Sequence, residues 1–257
     1  MKYFPVAEAK ERPGVKLALT ANVPAPWSMS ARTILELKGI DYTPVQQVGG
    51  GANEDLVAWT GHRNAPVLVV DGDMPRTGWL EILMWAERTA PEPRLVPADT
   101  ADRAMMIGLA NEICGEEGLA WCGRLFMLDL MVRKLGDAAK ANPMLADYRY
   151  SADALEAALD RTGGILDLLA ATLHAQKAKG SPYFVGDSMT ALDIYWSFFS
   201  QLVDVLPDEI CMTPVPLRKS WGAFPRAMEA AGRGFDPVLL EHRTHMLSKH
   251  LQNPMVF

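Results

Sequence analysis

Between residues 15 and 90 the apolar positions change period several times, and each change predicts an element. Val15-Lys16-Leu17-Ala18-Leu19-Thr20 is a short apolar run with partial alternation, the pattern of a strand. Residues 22–27 cannot continue it, because Pro24 and Pro26 lack a backbone donor and fix φ. Ser28 then offers a cap to a helix over 29–37, stopped at Lys38-Gly39. A second strand is predicted over 41–48 and is broken by Gly49-Gly50-Gly51; a short helix fits 53–60. Residues 66–70 make a third strand, and Asp71-Gly72-Asp73 marks a hairpin turn after it. Over 78–89, Leu80, Ile82, Leu83, Trp85 and Ala86 fall on a helical register. The order is βαβ, then a hairpin, then a helix, which is a small α/β domain over residues 15–90.

The flanks read differently. Residues 1–14 are polar and proline-punctuated, and are expected to form a leader outside the fold. Ala90-Pro91-Glu92-Pro93-Arg94 opens a proline-rich linker over 91–98, and no strand-like run follows it. Apolar residues three and four apart predict helices over 99–136, 151–179, 190–205, 217–231 and 237–251. The second domain, 99–257, is therefore expected to be all-helical. No internal repeat or low-complexity tract is present.

Composition narrows the class of function. The 257 residues are 49% hydrophobic and 22% charged, as in an ordinary globular protein. With 25 Lys+Arg against 31 Asp+Glu, the net charge of −6 argues against nucleic acid as a partner. No run approaches the ~20 apolar residues that span a bilayer, and MKYFPVAEAKERPG lacks the apolar core of a signal peptide. Cys114, Cys122 and Cys211 make no CxxC, hence no disulfide framework or zinc box. Cys114 and Cys122 are expected to share a helical face as small buried residues. A cytoplasmic, reducing compartment fits these features.

Several short segments could carry chemistry, each with a plainer alternative. In Asn64-Ala65-Pro66-Val67 the proline either starts an edge strand or forms a cis bond. In the second case Ala65 would show its backbone N–H and C=O to a peptide-like ligand. Ser28 and Ser30 stand where a helix begins, a place that favours an anion such as a thiolate, unless Ser28 merely caps. Asn22 could donate its amide to an anion or shape the turn. At Thr77-Gly78-Trp79 a helix start could hold a carboxylate on free N–H groups, or Thr77 could cap while Trp79 packs. Thr190-Ala191-Leu192-Asp193 is a capping box, so Asp193 is assigned to folding. His242, His245 and His250 lack metal-ligand spacing and are expected on a solvated helical face. GxSxG, Walker, HExxH and GxGxxG signatures are absent.

Taken in order, these features resemble the glutathione transferase superfamily. Pro26-Trp27-Ser28-Met29-Ser30-Ala31-Arg32-Thr33-Ile34-Leu35-Glu36-Leu37-Lys38-Gly39-Ile40-Asp41-Tyr42 is similar to the family's run P-F-S-x-R-V-R-x-A-L-x-x-K-G-I-x-Y. Ala65-Pro66-Val67-Leu68 resembles its cis-proline element V-P-x-L, and the stretch from Gly186 to Asp193 its box G-D-x-x-T-x-A-D, with Leu192 in place of Ala. The resemblance implies a thioredoxin-like βαβ-ββα domain followed by an all-helical one, a homodimer, and glutathione as co-substrate. The departures fall on the glutathione site. Ala25 stands where serine- and cysteine-type members carry the thiol-activating residue. Gly78-Trp79 stands where the family has the Glu-Ser pair that holds the γ-glutamyl carboxylate.

The function implied is conjugation or other processing of a small electrophile by the glutathione thiolate. Ser28 or Asn22 would be the thiolate donor, with Ala65, Pro66, Thr77, Gly78 and Trp79 binding glutathione. Trp121, Phe126 and Met127 are candidates for the electrophile's pocket. The alternative is a non-catalytic binding or scaffold protein on the same fold, which Ala25 and Gly78-Trp79 favour.

Overall fold

A computed structural model describes residues 1–257. The chain divides into two units: Met1–Val96 with Pro254–Phe257, and Pro97–Asn253. The boundary lies inside the expected linker.

The first unit is built on a three-stranded sheet, β1 (Val15–Thr20), β2 (Thr43–Gln47) and β3 (Val67–Val70), in the order β2-β1-β3. β2 runs parallel to β1, with Val45 opposite Ala18, and β3 runs antiparallel, with Val67 opposite the same residue. Side chains alternate across the pleat. Ala18, Val45, Val67 and Val69 pack with Leu56 on one face, while Leu17, Leu19 and Leu68 are buried on the other. α2 (Pro26–Leu37) and α4 (Trp79–Thr89) pack against each other, burying Ile34, Leu35, Ile82 and Leu83. α3 (Glu54–Thr60) connects β2 to β3. The buried Lys38 ammonium meets Glu87 at 2.6 Å and the carbonyls of Ala90 and Pro93 at 2.8 and 2.9 Å, fixing the start of the linker to this unit.

Two expectations are corrected here. Residues 1–14 are not outside the fold. Phe4 bridges β2 through Pro44 and Gln46, and the short helix α1 (Val6–Lys10) adds Val6 and Ala9 to the sheet's hydrophobic cluster. A five-residue helix with only two apolar positions facing inward carries too little periodicity to stand out in sequence. The hairpin after β3 is a single bridge, Leu68 to Arg76, because Pro75 lacks a donor and the chain enters α4 three residues after Arg76.

The second unit is helical throughout: α5 (Thr100–Cys114), α6 (Leu119–Leu135), α7 (Met144–Asp147), α8 (Ala152–Ala178), α9 (Ala191–Phe199), α10 (Val215–Trp221), α11 (Ala223–Ala230) and α12 (Val238–Lys249). Every residue of α9 is buried, Asp193 and Ser197 included. It packs against α5 and α12, and α6 lies on α8. The helix expected over 99–136 is two helices. Around the break, a Cβ on Gly115 or Gly118 would lie 2.7 or 2.6 Å from the backbone oxygen of Asn111 or Glu112, and Glu117 is left-handed at φ 59°. Cys114 and Cys122 therefore stand on different helices rather than one face. The helix expected over 217–231 divides at Gly222. No helix is long and apolar enough to cross a membrane.

Candidate functional site

The segments singled out in the first domain come together because of strand register. Val67 is opposite Ala18, so Ala65-Pro66 enters the sheet near Thr20, where β1 ends. The Leu68–Arg76 bridge, with N–H to carbonyl distances of 2.9 and 2.8 Å, turns the chain back antiparallel to β3. Thr77 and Gly78 thus run back alongside Pro66 before α4 begins. The end of β1, the entry to β3 and the N-terminus of α4 form one edge.

Ala65-Pro66 is a cis peptide. Ala65 is half-buried, and no protein group bonds its N–H or its C=O. Unpaired backbone groups at such a place can be satisfied by an extended, peptide-like ligand. Asn22, beyond β1, is exposed and left-handed at φ 60°, a conformation that asparagine tolerates better than most residues. Its side-chain amide takes no protein partner and is free to donate.

Ser28 does not cap α2. Pro26 suits the first helical position, since its missing N–H would be an orphan there, so the helix begins three residues earlier than expected, with Ala25 at its cap. This puts Ser28 at the third helical position, only 3% exposed. Its hydroxyl accepts the Thr20 N–H at 3.0 Å and donates to Thr20 Oγ1 at 3.4 Å. Ser28 therefore ties α2 to the end of β1. Ser30 is fully buried and bonds back to the Pro26 carbonyl at 2.8 Å. Of the three polar side chains proposed near the thiol, Asn22 is the exposed one.

At α4 the structure adds a residue that sequence reasoning missed. Glu81 lies at the third helical position, and its Oε2 accepts the N–H of Gly78 at 3.0 Å and that of Thr77 at 3.3 Å. The helix terminus expected to receive a ligand carboxylate already carries one from its own chain. The signal was legible: an acid three residues after a helix cap is half of a capping box even when the cap is glycine.

Burial makes the three cysteines poor candidates for a nucleophile. All three are buried and none forms a disulfide, and burial raises each thiol, that of Cys114 furthest.

The helical unit places the remaining candidates. Phe126 is buried against Phe224, ring centroids 5.2 Å apart, and belongs to the core. Trp121 and Met127 are half-buried. Asp193 is fully buried: Oδ2 accepts the Thr190 N–H and hydroxyl at 2.7 and 2.8 Å, and Oδ1 accepts the Phe184 N–H at 2.9 Å. The expected solvated histidine face is overturned by the same residue, since His242 is 3% exposed with Nε2 2.9 Å from Asp193 Oδ1. Leu239, His242 and Met246, spaced three and four apart, put that histidine on the inner face of α12. His250 Nε2 pairs with the Tyr183 hydroxyl at 3.1 Å.

Comparison with known proteins agrees with this fold. The sequence profile of the glutathione S-transferase N-terminal domain matches residues 22–94. The Tau class glutathione S-transferase of mango, Mangifera indica, superposes with a TM-score of 0.58 at 23% identity, over 92% of this chain and 90% of that one. The β-etherase LigF of Sphingobium sp. strain SYK-6 gives 0.58 at 17% identity, over 90% and 99%. A glutathione S-transferase from Methylobacterium radiotolerans, solved in complex with glutathione sulfonate, gives 0.56 at 18% identity, over 89% and 93%. No curated protein matches the sequence.

Proposed function

We propose that this chain, whose residues 22–94 match the glutathione S-transferase N-terminal domain, is a member of that superfamily, binds glutathione along the edge between Ala65 and Gly78 and directs its sulfur at a small electrophile. The observation that carries this reading is the pair of unbonded backbone groups on Ala65. They match the N–H and C=O of a cysteinyl residue, which would pair with them as one more antiparallel rung. Asn22 is the residue we assign to the sulfur. Its amide N–H would donate to the thiolate, lowering the thiol's pKa by favouring the charged form. Ser28 fixes the end of β1 from which Asn22 projects. The thiol proton leaves to solvent, the sulfur forms a bond to the electrophilic carbon, and any leaving group departs with its electron pair.

Glutathione's α-carboxylate would compete with Glu81 for the Thr77 and Gly78 amides, beside Trp79. That competition favours a second reading, a binding or scaffold protein with no turnover. The superfamily also implies a homodimer and a reducing cytoplasm in which buried thiols form no disulfide.

Calorimetric titration with reduced glutathione and with S-methylglutathione tests both readings. Millimolar or tighter binding of each, together with an Asn22→Ala variant that binds S-methylglutathione normally but raises the pKa of bound glutathione, is the expected result. No heat from either ligand would overturn glutathione binding. Binding with an unchanged thiol pKa in Asn22→Ala would remove Asn22 from the sulfur.

A further inference from the structure

The helical unit holds an arginine that its fold does not satisfy. Arg124 projects from α6, half-buried, and its Nε is buried with no acceptor. Its one polar contact is Nη1 to the Met127 thioether at 3.7 Å, and sulfur is a weak acceptor. Arg133, Arg149, Arg161, Arg218, Arg233 and Arg243 of the same unit each meet a carboxylate. Asp129, the only acid on α6, is engaged by Arg133 at 2.7 Å and by the Tyr150 hydroxyl at 2.8 Å. Arg226 also lacks a carboxylate, but it is exposed and meets the Lys219 carbonyl at 3.0 Å, whereas Arg124 is half-buried with only the thioether. Burial of an uncompensated charge costs stability, and such a cost is commonly met where a ligand supplies the counter-charge.

Its surroundings define that ligand further. The guanidinium lies over the Tyr148 ring, 5.9 Å from the centroid, and the Tyr148 and Trp121 centroids are 4.6 Å apart. Both rings and Met127 are half-buried, so flat apolar surface adjoins the charge. A guanidinium fork matches the planar carboxylate group, and half-exposed aromatic faces suit a planar ring.

We propose that Arg124, with Trp121, Met127 and Tyr148, binds an aromatic carboxylic acid, the carboxylate on the guanidinium and the ring against the aromatic pair. That such an acid is the electrophile rests on the transferase reading; the binding itself does not.

The test is titration of the full-length chain with 2-naphthoate and with 2-naphthalenemethanol, followed by tryptophan fluorescence and calorimetry, without glutathione. Wild type is expected to prefer the carboxylate about tenfold, the worth of one charge-assisted hydrogen bond. Arg124→Met should abolish the preference while leaving the alcohol's affinity in place, and Arg124→Lys should retain part of it. The Tm of Arg124→Met should equal or exceed that of wild type, because the charge removed has no partner to orphan. Equal affinity of wild type for the two probes, or a preference that survives Arg124→Met, would overturn the proposal. A large fall in Tm for both variants would make Arg124 structural and would overturn it as well. Because glutathione is absent, the outcome is separable from that of the glutathione titration.

Discussion

Glu81 and Asp193 occupy the same local position, three residues past the cap of a helix, and accept backbone N–H groups at that cap. Their surroundings could hardly differ more. Asp193 is fully buried, its cap residue Thr190 contributes a hydroxyl as well as an N–H to Oδ2, and its Oδ1 reaches other elements through Phe184 and His242. Glu81 is exposed, its cap residue is a glycine with no side chain to reciprocate, and both amides it meets adjoin the proposed ligand edge. One motif thus does two jobs. Where every partner is buried, the carboxylate is part of the fold; where the partners face solvent, the proposed ligand would compete with it.

The largest effect should come from breaking the buried member. Asp193→Ala removes a cap and leaves the Phe184 and Thr190 N–H groups and His242 without an acceptor. Each orphaned buried group costs about 1–3 kcal/mol, so a loss of about 4 kcal/mol is expected. For a chain of this size that lowers Tm by about 10 °C, measurable by calorimetry. A shift like that of a surface substitution would mean that Asp193 is only a cap.

A smaller effect concerns pH around the same knot. His245 is held below the ordinary histidine value of 6.5, first by burial, then by His250, His242 and Lys249 on its own segment, against a weaker opposing pull from Asp193 on α9. Tyr183 packs edge-on against its ring. Below pH 6.5 the unfolded chain therefore binds a proton that the folded chain resists, and stability falls as pH drops from the ordinary value towards the lowered one. The Tm of wild type should decline from about pH 7.5 to about pH 5, and His245→Gln should flatten that decline. A slope unchanged in His245→Gln would assign the acid sensitivity elsewhere.

The same contrast explains what could be read from the sequence. The strands at 15–20 and 66–70, the helix after the two prolines and the capping box at Thr190 were legible, because each has a local cause in period, proline or cap. The break between Cys114 and Leu119 falls on Gly115-Glu116-Glu117-Gly118, where the pair of glycines is the local signal and the close backbone approach at both shows why they are needed. Ser28 looked like a cap because capping residues precede helices; the competing preference of Pro26 for the first turn displaced it inward. His242 was misplaced because three histidines on one helix suggest a polar face, whereas its spacing from Leu239 and Met246 put it inside. Pairing between distant segments, such as Asp193 with His242, has no sequence signal in a single chain.

Breaking the exposed member should hardly affect the fold. Glu81→Ala forfeits bonds to two solvent-accessible amides, and the loss should stay within about 1 kcal/mol. Its effect on the ligand edge should run the other way. Removing the carboxylate frees the Thr77 and Gly78 N–H groups and removes a negative charge from the place where an incoming carboxylate would sit. Affinity for glutathione should therefore rise in Glu81→Ala, by about tenfold if one charge-assisted bond is recovered. Glu81→Gln, which keeps an acceptor oxygen but not the charge, should fall between. A glutathione derivative amidated at its α-carboxylate serves as the control, and its affinity should be nearly the same for wild type and Glu81→Ala. If glutathione and its amide respond alike to Glu81→Ala, the ligand's carboxylate does not reach this terminus, and Glu81 is a cap in the same plain sense that Thr190 is.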